Sequence, residues 1–267
     1  MTKSLLVQDD EERVAALNLP HLSYSRINRY LHCPEQYRLY YIEKLRPRYP
    51  AATLVFGQVV HQGLAHGFNG LGDPVQFFLA IWEEVKGYDL TYKQKESWEK
   101  LHDSGQGLIE KFCKEELPRL GKILCVEKPL DLQISSLDLP FVGVIDLFAE
   151  VDGKLTLIDF KTSGSAYEGH EVILSDQLTG YHLAEPDAEQ TAFCVLIKTK
   201  EPKIEWHFAE RSAEQLVGFL SKASYVSGEI AQERFYKRSG KWCSYCDYLP
   251  VCTGNRKKAQ ETLVQLK

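Results

Sequence analysis

Long apolar runs are absent from this sequence: no stretch approaches the ~20 consecutive apolar residues of a membrane-spanning helix. Residues 1–20 also lack the basic start, long apolar stretch and small-residue cleavage site of a secretory signal peptide. We therefore expect no membrane contact and a cytoplasmic location. Because thiols stay reduced in the cytosol, we do not expect the seven cysteines to form a disulfide framework.

An excess of basic residues is absent as well. The chain has 32 Lys and Arg against 37 Asp and Glu, a net charge of −5, so it lacks the global basic signature of many nucleic-acid-binding proteins. A local basic groove is nevertheless enough for phosphate contacts, and a carboxylate-rich metal site itself lowers the net charge. Net charge therefore does not decide whether the chain binds DNA.

Internal repeats, low-complexity segments and a G-x-x-x-x-G-K-[ST] phosphate-binding loop are also missing. Without that loop the chain carries no helicase motif, so we expect any unwinding of a duplex to come from a partner. What remains is an ordinary globular composition, with 44% hydrophobic and 26% charged residues over 267 positions. Such a chain can bury a sizeable core.

The order of local patterns predicts an α/β fold. Helical patterns dominate up to Pro118, and Ser23 or Ser25 is a suitable N-cap for the first helix. From Ile123 onward, short segments rich in β-branched and aromatic residues indicate strands. The predicted helices span 23–31, 35–45, several segments within 54–118, 174–184 and 213–232, and the predicted strands span 123–135, 141–151, 154–161, 191–199 and 203–209.

Two acidic residues are predicted to face each other across a hairpin. Asp152-Gly153 between two apolar runs is typical of a two-residue hairpin turn. With these residues as the turn, counting outward places Asp146 directly opposite Asp159. Side chains alternate between faces, so Lys161 shares the face of both acids.

The hairpin is expected to lie inside the sheet because both of its faces are apolar. Two carboxylates in such a place repel each other and need a counter-charge, which a divalent cation such as Mg²⁺ supplies. The alternative is that Asp159 and Lys161 are polar residues at a strand end, with Asp146 paired to a cationic side chain. On one face we expect Val144, Phe148 and Leu157, and on the other Ile145, Leu147, Ile158 and Phe160.

The hairpin also carries a family resemblance. Gly143-Val-Ile-Asp146, followed by the turn and by Asp159-Phe-Lys161, resembles the active-site motif of the PD-(D/E)XK nuclease superfamily. It is most similar to the RecB-like branch, whose second motif is D-x-K. The resemblance implies a restriction-endonuclease-like α/β core, in which a mixed central sheet is flanked by helices.

Two further motifs occur in the order typical of that branch. Gly57-Gln-Val-Val-His61 resembles its upstream G-x-x-x-H, and Gln177-Leu-Thr-Gly-Tyr181 resembles its downstream Q-x-x-x-Y. The i, i+4 spacing places Gln177 and Tyr181 on one helix face. Glu127, on the preceding strand, is either a peripheral acidic member of the site or an exposed edge residue.

The resemblance implies a role for each matching residue. Lys161 would position the attacking water or stabilise developing negative charge, and Gln177 and Tyr181 would orient Lys161 or its strand. The implied activity is that of a metal-dependent deoxyribonuclease, in particular a single-strand-preferring exonuclease in DNA repair, recombination or mobile-element processing. The alternative is a non-catalytic DNA-binding or assembly subunit that retains the fold. The implied ligands of Mg²⁺ or Mn²⁺ are His61, Asp146, Asp159 and the backbone carbonyl of Phe160.

The cysteines are unevenly distributed. Cys243, Cys246 and Cys252 form C-x2-C-x5-C, and Cys33 is the natural fourth ligand of a four-coordinate site. This spacing suits both structural zinc and a [4Fe–4S] cluster. It resembles the iron–sulfur subset of these nucleases, which includes the AddB nuclease domain and the CRISPR-associated adaptation nucleases, and this implies a 4Fe-4S cluster. We interpret the other three cysteines, Cys113, Cys125 and Cys194, as core thiols.

Basic and aromatic residues are interleaved near the first helix. Arg26, Arg29 and Arg38, with nearby tyrosines, resemble a lining suited to single-stranded nucleic acid, although a solvated helix face is the alternative. We expect the substrate to be DNA that is single-stranded or has free ends, with a helicase or recombination protein as a candidate partner.

We predict one compact domain in four parts: a polar arm at 1–20, a helical region carrying Cys33 and His61 at 21–121, the nuclease core at 122–235, and the cysteine cluster with a C-terminal helix at 236–267.

Overall fold

A five-stranded mixed sheet forms the centre of the computed structural model, which describes residues 21–135 and 137–266. Its strands are β2 Leu120–Leu132, β3 Phe141–Val151, β4 Lys154–Ser163, β5 Gln190–Ile197 and β6 Lys203–Ala209. They lie in this order across the sheet; β4 and β5 are parallel, and the other neighbours are antiparallel. The arm predicted at 1–20 lies outside the described residues.

Helices flank this sheet, as the α/β pattern predicts. A small second sheet pairs β1, Leu45–Pro47, with β7, Leu263–Gln265, and so joins the two ends of the described chain. The helices are α1 Tyr24–His32, α2 Pro34–Tyr37, α3 Ala52–Phe68, α4 Pro74–Val85, α5 Trp98–Lys111, α6 Gly169–Ile173, α7 Asp176–Ala184, α8 Ala213–Ala231, α9 Leu249–Cys252 and α10 Arg256–Thr262. None of the helices within 21–135 and 137–266 is long and apolar enough to cross a membrane.

The sheet is buried on both faces, as predicted for the hairpin. One core cluster contains Phe56, Trp82, Leu108, Leu147, Ile158 and Phe160 and packs the sheet against α3, α4 and α5. The other contains Ile27, Ile145, Phe148, Leu157, Tyr181 and Phe219 and packs the sheet against α1, α7 and α8. The architecture is consistent with a restriction-endonuclease-like core.

The hairpin follows the predicted register near its turn and departs from it near the acids. Ladder pairs run from Val151 with Lys154 to Leu147 with Ile158, one position before the pair expected for the two aspartates. Ile145, which we expected beside Leu147, packs instead in the cluster of Phe148. The prediction for Ile145 was wrong because the regular alternation of β3 is interrupted there.

Several element bounds were predicted to within a few residues. Ser23 caps α1 by accepting a hydrogen bond from the backbone N of Arg26. The helix expected at 35–45 was too long: α2 passes into a π-helical turn at Arg38–Ile42, and β1 follows. The helix expected at 174–184 begins instead at Asp176, because Ser175 acts as its N-cap.

Candidate active site and cysteine cluster

The middle of β3 and the end of β4 border a cavity of about 560 Å³. Asp146 from β3, Phe160 and Lys161 from β4, and His61 from α3 all line it. The structure therefore gathers at one cavity residues from three separate parts of the sequence.

Asp159 lies behind this surface in a network with α7. Its carboxylate is almost fully buried, with 3% of the side chain exposed, and its Oδ2 forms an ion pair of 2.7 Å with Nζ of Lys161. Gln177 Nε2 donates hydrogen bonds to Oδ1 of Asp159 at 2.5 Å and to the Tyr181 hydroxyl at 2.8 Å. Gln177 Oε1 accepts a hydrogen bond from Lys161 at 2.8 Å. The Q-x-x-x-Y pair thus contacts both charged members of D-x-K.

The electrostatic surroundings keep Lys161 protonated. Burial disfavours its ammonium group, but the nearby carboxylates of Asp159 and Asp146 outweigh this effect and raise the pKa of Lys161. The ammonium also lies 5.3 Å from the centre of the Phe193 ring. Lys161 can therefore act as a fixed positive charge and hydrogen-bond donor, with 28% of its side chain exposed.

Asp146 belongs to a second group of contacts, on the side of α3. Its Oδ2 accepts a hydrogen bond of 2.8 Å from the backbone N of Phe160 and lies 3.5 Å from Nδ1 of His61. Gly57 allows α3 to approach β4 here, because a Cβ at this position would lie 3.0 Å from Oγ1 of Thr162. The close approach explains why the G-x-x-x-H motif has a glycine at this position.

The expected metal ligands thus lie in two adjoining groups. His61, Asp146 and Phe160 line the cavity, whereas Asp159 is engaged by Lys161 and α7. In the arrangement found here, no three His, Cys, Asp or Glu side chains of residues 21–135 and 137–266 could hold a metal ion together. The chemistry of the donors nevertheless fits Mg²⁺ or Mn²⁺, which prefer carboxylate and carbonyl oxygens, with imidazole as a further ligand.

Three further residues lie close to these groups. Glu127 also lines the cavity, and in β2 it lies opposite Asp146, between the ladder pairs Val126 with Leu147 and Lys128 with Ile145. Its φ of 46° is uncommon for a residue other than glycine. Tyr24 and Tyr167 lie near enough to Lys161 for its charge to lower their pKa, although burial raises each pKa overall. Of these, the sequence pointed only to Glu127, through its position on the preceding strand.

A second cavity, of about 230 Å³, collects the four cysteines of the predicted cluster. Burial raises the pKa of Cys246 and Cys252, and nearby cysteines, including Cys33, raise it further. Tyr248 packs beside them in a small core cluster with Leu39 and Leu263, and its hydroxyl donates to the carbonyl of Leu45 at 2.9 Å. The cavity lining includes Cys33, Cys243, Cys246 and Cys252.

Helix α1 connects the two cavities. Ser25, near its start, lines the active-site cavity, whereas His32, at its end, lines the cysteine cavity. Between them the guanidinium of Arg26 lies 4.3 Å from the centre of the Tyr41 ring, and that of Arg29 lies 3.7 Å from the centre of the Tyr40 ring.

Arginines and tyrosines therefore stack on each other around α1, but the set of arginines differs from the expected one. Arg38 forms ion pairs with Glu35 and Glu43, so its charge is neutralised within the protein. Arg46 instead joins the stack, 3.4 Å from the centre of the Tyr40 ring.

Comparisons with known proteins agree with this architecture. Residues 21–253 match a family model described as the PD-(D/E)XK nuclease superfamily, whereas no curated protein matches the chain. Among solved structures, a protein from Eubacterium rectale named "Putative exonuclease" is similar over 85% of each chain, with 12% identity and a TM-score of 0.53. At that identity the likeness concerns the fold alone. The protein SSO0001 aligns over 91% of each chain at 14% identity, with a TM-score of 0.48, and nothing further follows from it.

Proposed function

Because this chain belongs to the PD-(D/E)XK nuclease superfamily, we propose that it is a metal-dependent deoxyribonuclease that hydrolyses phosphodiester bonds. The observation that carries the proposal is the Lys161–Asp159–Gln177 network beside the cavity that Asp146 and His61 line. A glutamine that contacts both partners of this ion pair, one of which lines the cavity, supports a functional role over a purely structural one.

The residues have distinct roles in this proposal. Asp146, Asp159, His61 and the Phe160 carbonyl would hold Mg²⁺ or Mn²⁺. When bound, such an ion polarises a phosphate oxygen and lowers the pKa of a coordinated water. Lys161, protonated beside the aspartates, donates a hydrogen bond to the attacking water or to the phosphate oxygen on which negative charge develops. Gln177 and Tyr181 fix the direction of Lys161 and of Asp159.

A preference for single strands is supported by the stack around α1. Arginines and tyrosines alternate between the two cavities, and proteins that bind single strands combine basic grooves with aromatic rings on which bases stack. Exonuclease action, and a role in repair, recombination or mobile-element processing beside a helicase or recombination partner, belong to the same proposal.

For the cysteine cavity we propose a [4Fe–4S] cluster, with zinc as the alternative. Four thiols line the cavity of about 230 Å³. One N-terminal cysteine followed by a C-terminal C-x2-C-x5-C resembles the iron–sulfur subset of these nucleases, and this resemblance favours the cluster over a single zinc. Brown colour with broad visible absorbance and bound iron would support the cluster, whereas colourless protein with one zinc per chain would contradict it.

Cleavage of labelled DNA tests the proposed function. Single-stranded and duplex oligonucleotides, labelled at the 5′ or the 3′ end, are incubated with Mg²⁺ or Mn²⁺, and with EDTA as a control. We expect metal-dependent shortening of the single strand, and the label that is released first gives the polarity. Binding without cleavage under every metal condition would instead support the alternative, a non-catalytic DNA-binding or assembly subunit that retains the fold.

A further inference from the structure

The segment between α4 and α5, residues 86–97, forms a wall of the active-site cavity that no sequence motif marks. Lys93 from this segment and Lys198, which follows β5, line the cavity together with His61 and Lys161. Two further basic residues therefore line the same cavity as the proposed metal ligands.

Glu96 links the segment 86–97 to Lys198, which follows β5. Its Oε1 accepts a hydrogen bond of 2.8 Å from Nζ of Lys198, and its Oε2 accepts one of 3.1 Å from the backbone N of Lys93. The side chains of Lys198 and Glu96 are 11% and 19% exposed. Burial alone would raise the pKa of Glu96, but these two hydrogen bonds outweigh burial and lower it. The carboxylate thus stays ionised and holds the chain at Lys93.

The two lysines consequently differ in what they can bind. The ammonium group of Lys198 forms an ion pair with Glu96. Lys93 is exposed, and among residues 21–135 and 137–266 no carboxylate lies within ion-pair distance of its ammonium group. Glu96 is near enough to attract the charge of Lys93, but it pairs directly with Lys198. The Lys93 side chain therefore lines the cavity in which a phosphodiester would lie without a direct ion pair of its own to any described residue.

We propose that Lys93 binds a backbone phosphate of the substrate strand next to the phosphate that is cleaved, and that Glu96 is a positioning residue that holds Lys93 at the cavity. The inference rests on the proposed function, since it specifies how the same site receives its strand. An ammonium group binds phosphate as a point charge, and each phosphate neutralised releases counterions and makes binding depend on salt. Lys93 would therefore contribute to affinity and register rather than to the chemical step.

Binding of a single-stranded oligonucleotide in EDTA, measured over a range of salt concentrations, tests the contact. We expect Lys93→Ala to raise Kd about fivefold or more and to reduce the salt slope by about 0.7. In Mg²⁺ or Mn²⁺, KM should rise while kcat stays unchanged. Lys95→Ala is the matched control, because Lys95 is exposed in the same segment but does not line the cavity. Equal Kd values for the two variants would overturn the proposal for Lys93.

Glu96→Gln tests the positioning role. We expect a smaller rise in Kd than for Lys93→Ala, and no further rise when the two substitutions are combined, because both act on one contact. Additive effects in a folded double variant would overturn the role of Glu96. If the wild type binds no single-stranded DNA, both the proposed function and the proposed Lys93–phosphate contact are contradicted. If the wild type binds and Lys93→Ala binds equally well, only the proposed Lys93–phosphate contact is contradicted.

Discussion

The side-chain carbonyl oxygen of Gln177 accepts a hydrogen bond from Nζ of Lys161 at 2.8 Å. Its amide nitrogen donates to Asp159 at the same time. A neutral side-chain amide can do both at once, because its oxygen accepts and its nitrogen donates. The Gln177 side chain therefore fixes the relative positions of the two charged residues of D-x-K.

Replacing this amide should impair the chemical step. We expect Gln177→Ala to lower kcat by about 10- to 100-fold, as is usual when a residue that orients a metal ligand is removed, with little change in Kd for DNA. Gln177→Glu should do the same, because a second carboxylate would face Asp159. Gln232→Ala, at an exposed position beyond α8, is the control. Wild-type kcat in Gln177→Ala would contradict the orienting role.

Gly57 offers a test of the geometry between α3 and β4. A methyl group there would lie 3.0 Å from Oγ1 of Thr162, so Gly57→Ala should displace the helix that carries His61 and lower activity about tenfold or more. Thr162→Ala removes the obstructing atom. We therefore expect the double variant to recover activity towards that of Thr162→Ala alone. If the double variant is as impaired as Gly57→Ala, the loss has another cause.

Local patterns in the sequence were sufficient to predict much of this molecule. Alternating apolar residues and Asp152-Gly153 predicted the hairpin, because turn chemistry and side-chain period act over a few residues. The same patterns could not predict the interruption that turns Ile145 to the other core cluster. That change depends on how β2 and β3 meet, which is a property of the sheet and not of one strand.

Long-range contacts explain what the sequence could not indicate. Glu96 and Lys198 are 102 positions apart, and neither belongs to a recurring motif, so the cavity wall at 86–97 emerged only from the fold. The stack around α1 was partly foreseen. Arg38 was expected in it, but its neighbours Glu35 and Glu43 neutralise it, and Arg46 takes part instead.

The ion pair of Glu96 and Lys198 should give stability that depends on pH. Because the folded-state pKa of Glu96 is lowered, its contribution is fully present above the unfolded-state value of about 4.3 and is lost as the pH falls through the lower folded-state pKa. We expect Glu96→Gln to lower the free energy of unfolding by about 1–3 kcal/mol near neutral pH.

Urea unfolding at about pH 7 and at about pH 3 checks this dependence. The difference between wild type and Glu96→Gln should shrink towards zero at the lower pH. Glu84→Gln, at an exposed position of α4, should change the free energy of unfolding little at either pH. A difference for Glu96→Gln that is undiminished at low pH would contradict the ion-pair account.

The lining of the cysteine cavity predicts that substitutions of two cysteines affect bound iron differently. Cys252→Ser removes a proposed cluster ligand, so visible absorbance and bound iron should be lost and Tm should fall by about 5 °C or more. Cys113→Ser changes a cysteine in the π-helical turn Phe112–Glu116 after α5, outside that cavity, so this variant should keep its iron. Full iron content in Cys252→Ser would contradict the ligand assignment.

The most direct test of the central claim compares cleavage by wild type, Lys161→Ala and Lys154→Ala on one end-labelled single strand with Mg²⁺ or Mn²⁺. Lys154 lies at the exposed hairpin turn of the same strand and serves as the control. We predict that Lys161→Ala lowers the cleavage rate by about 10²–10³-fold, as expected when a donor to developing negative charge is removed, while Lys154→Ala cleaves like wild type. Equal rates for wild type and Lys161→Ala would contradict the assignment of this network as the active site.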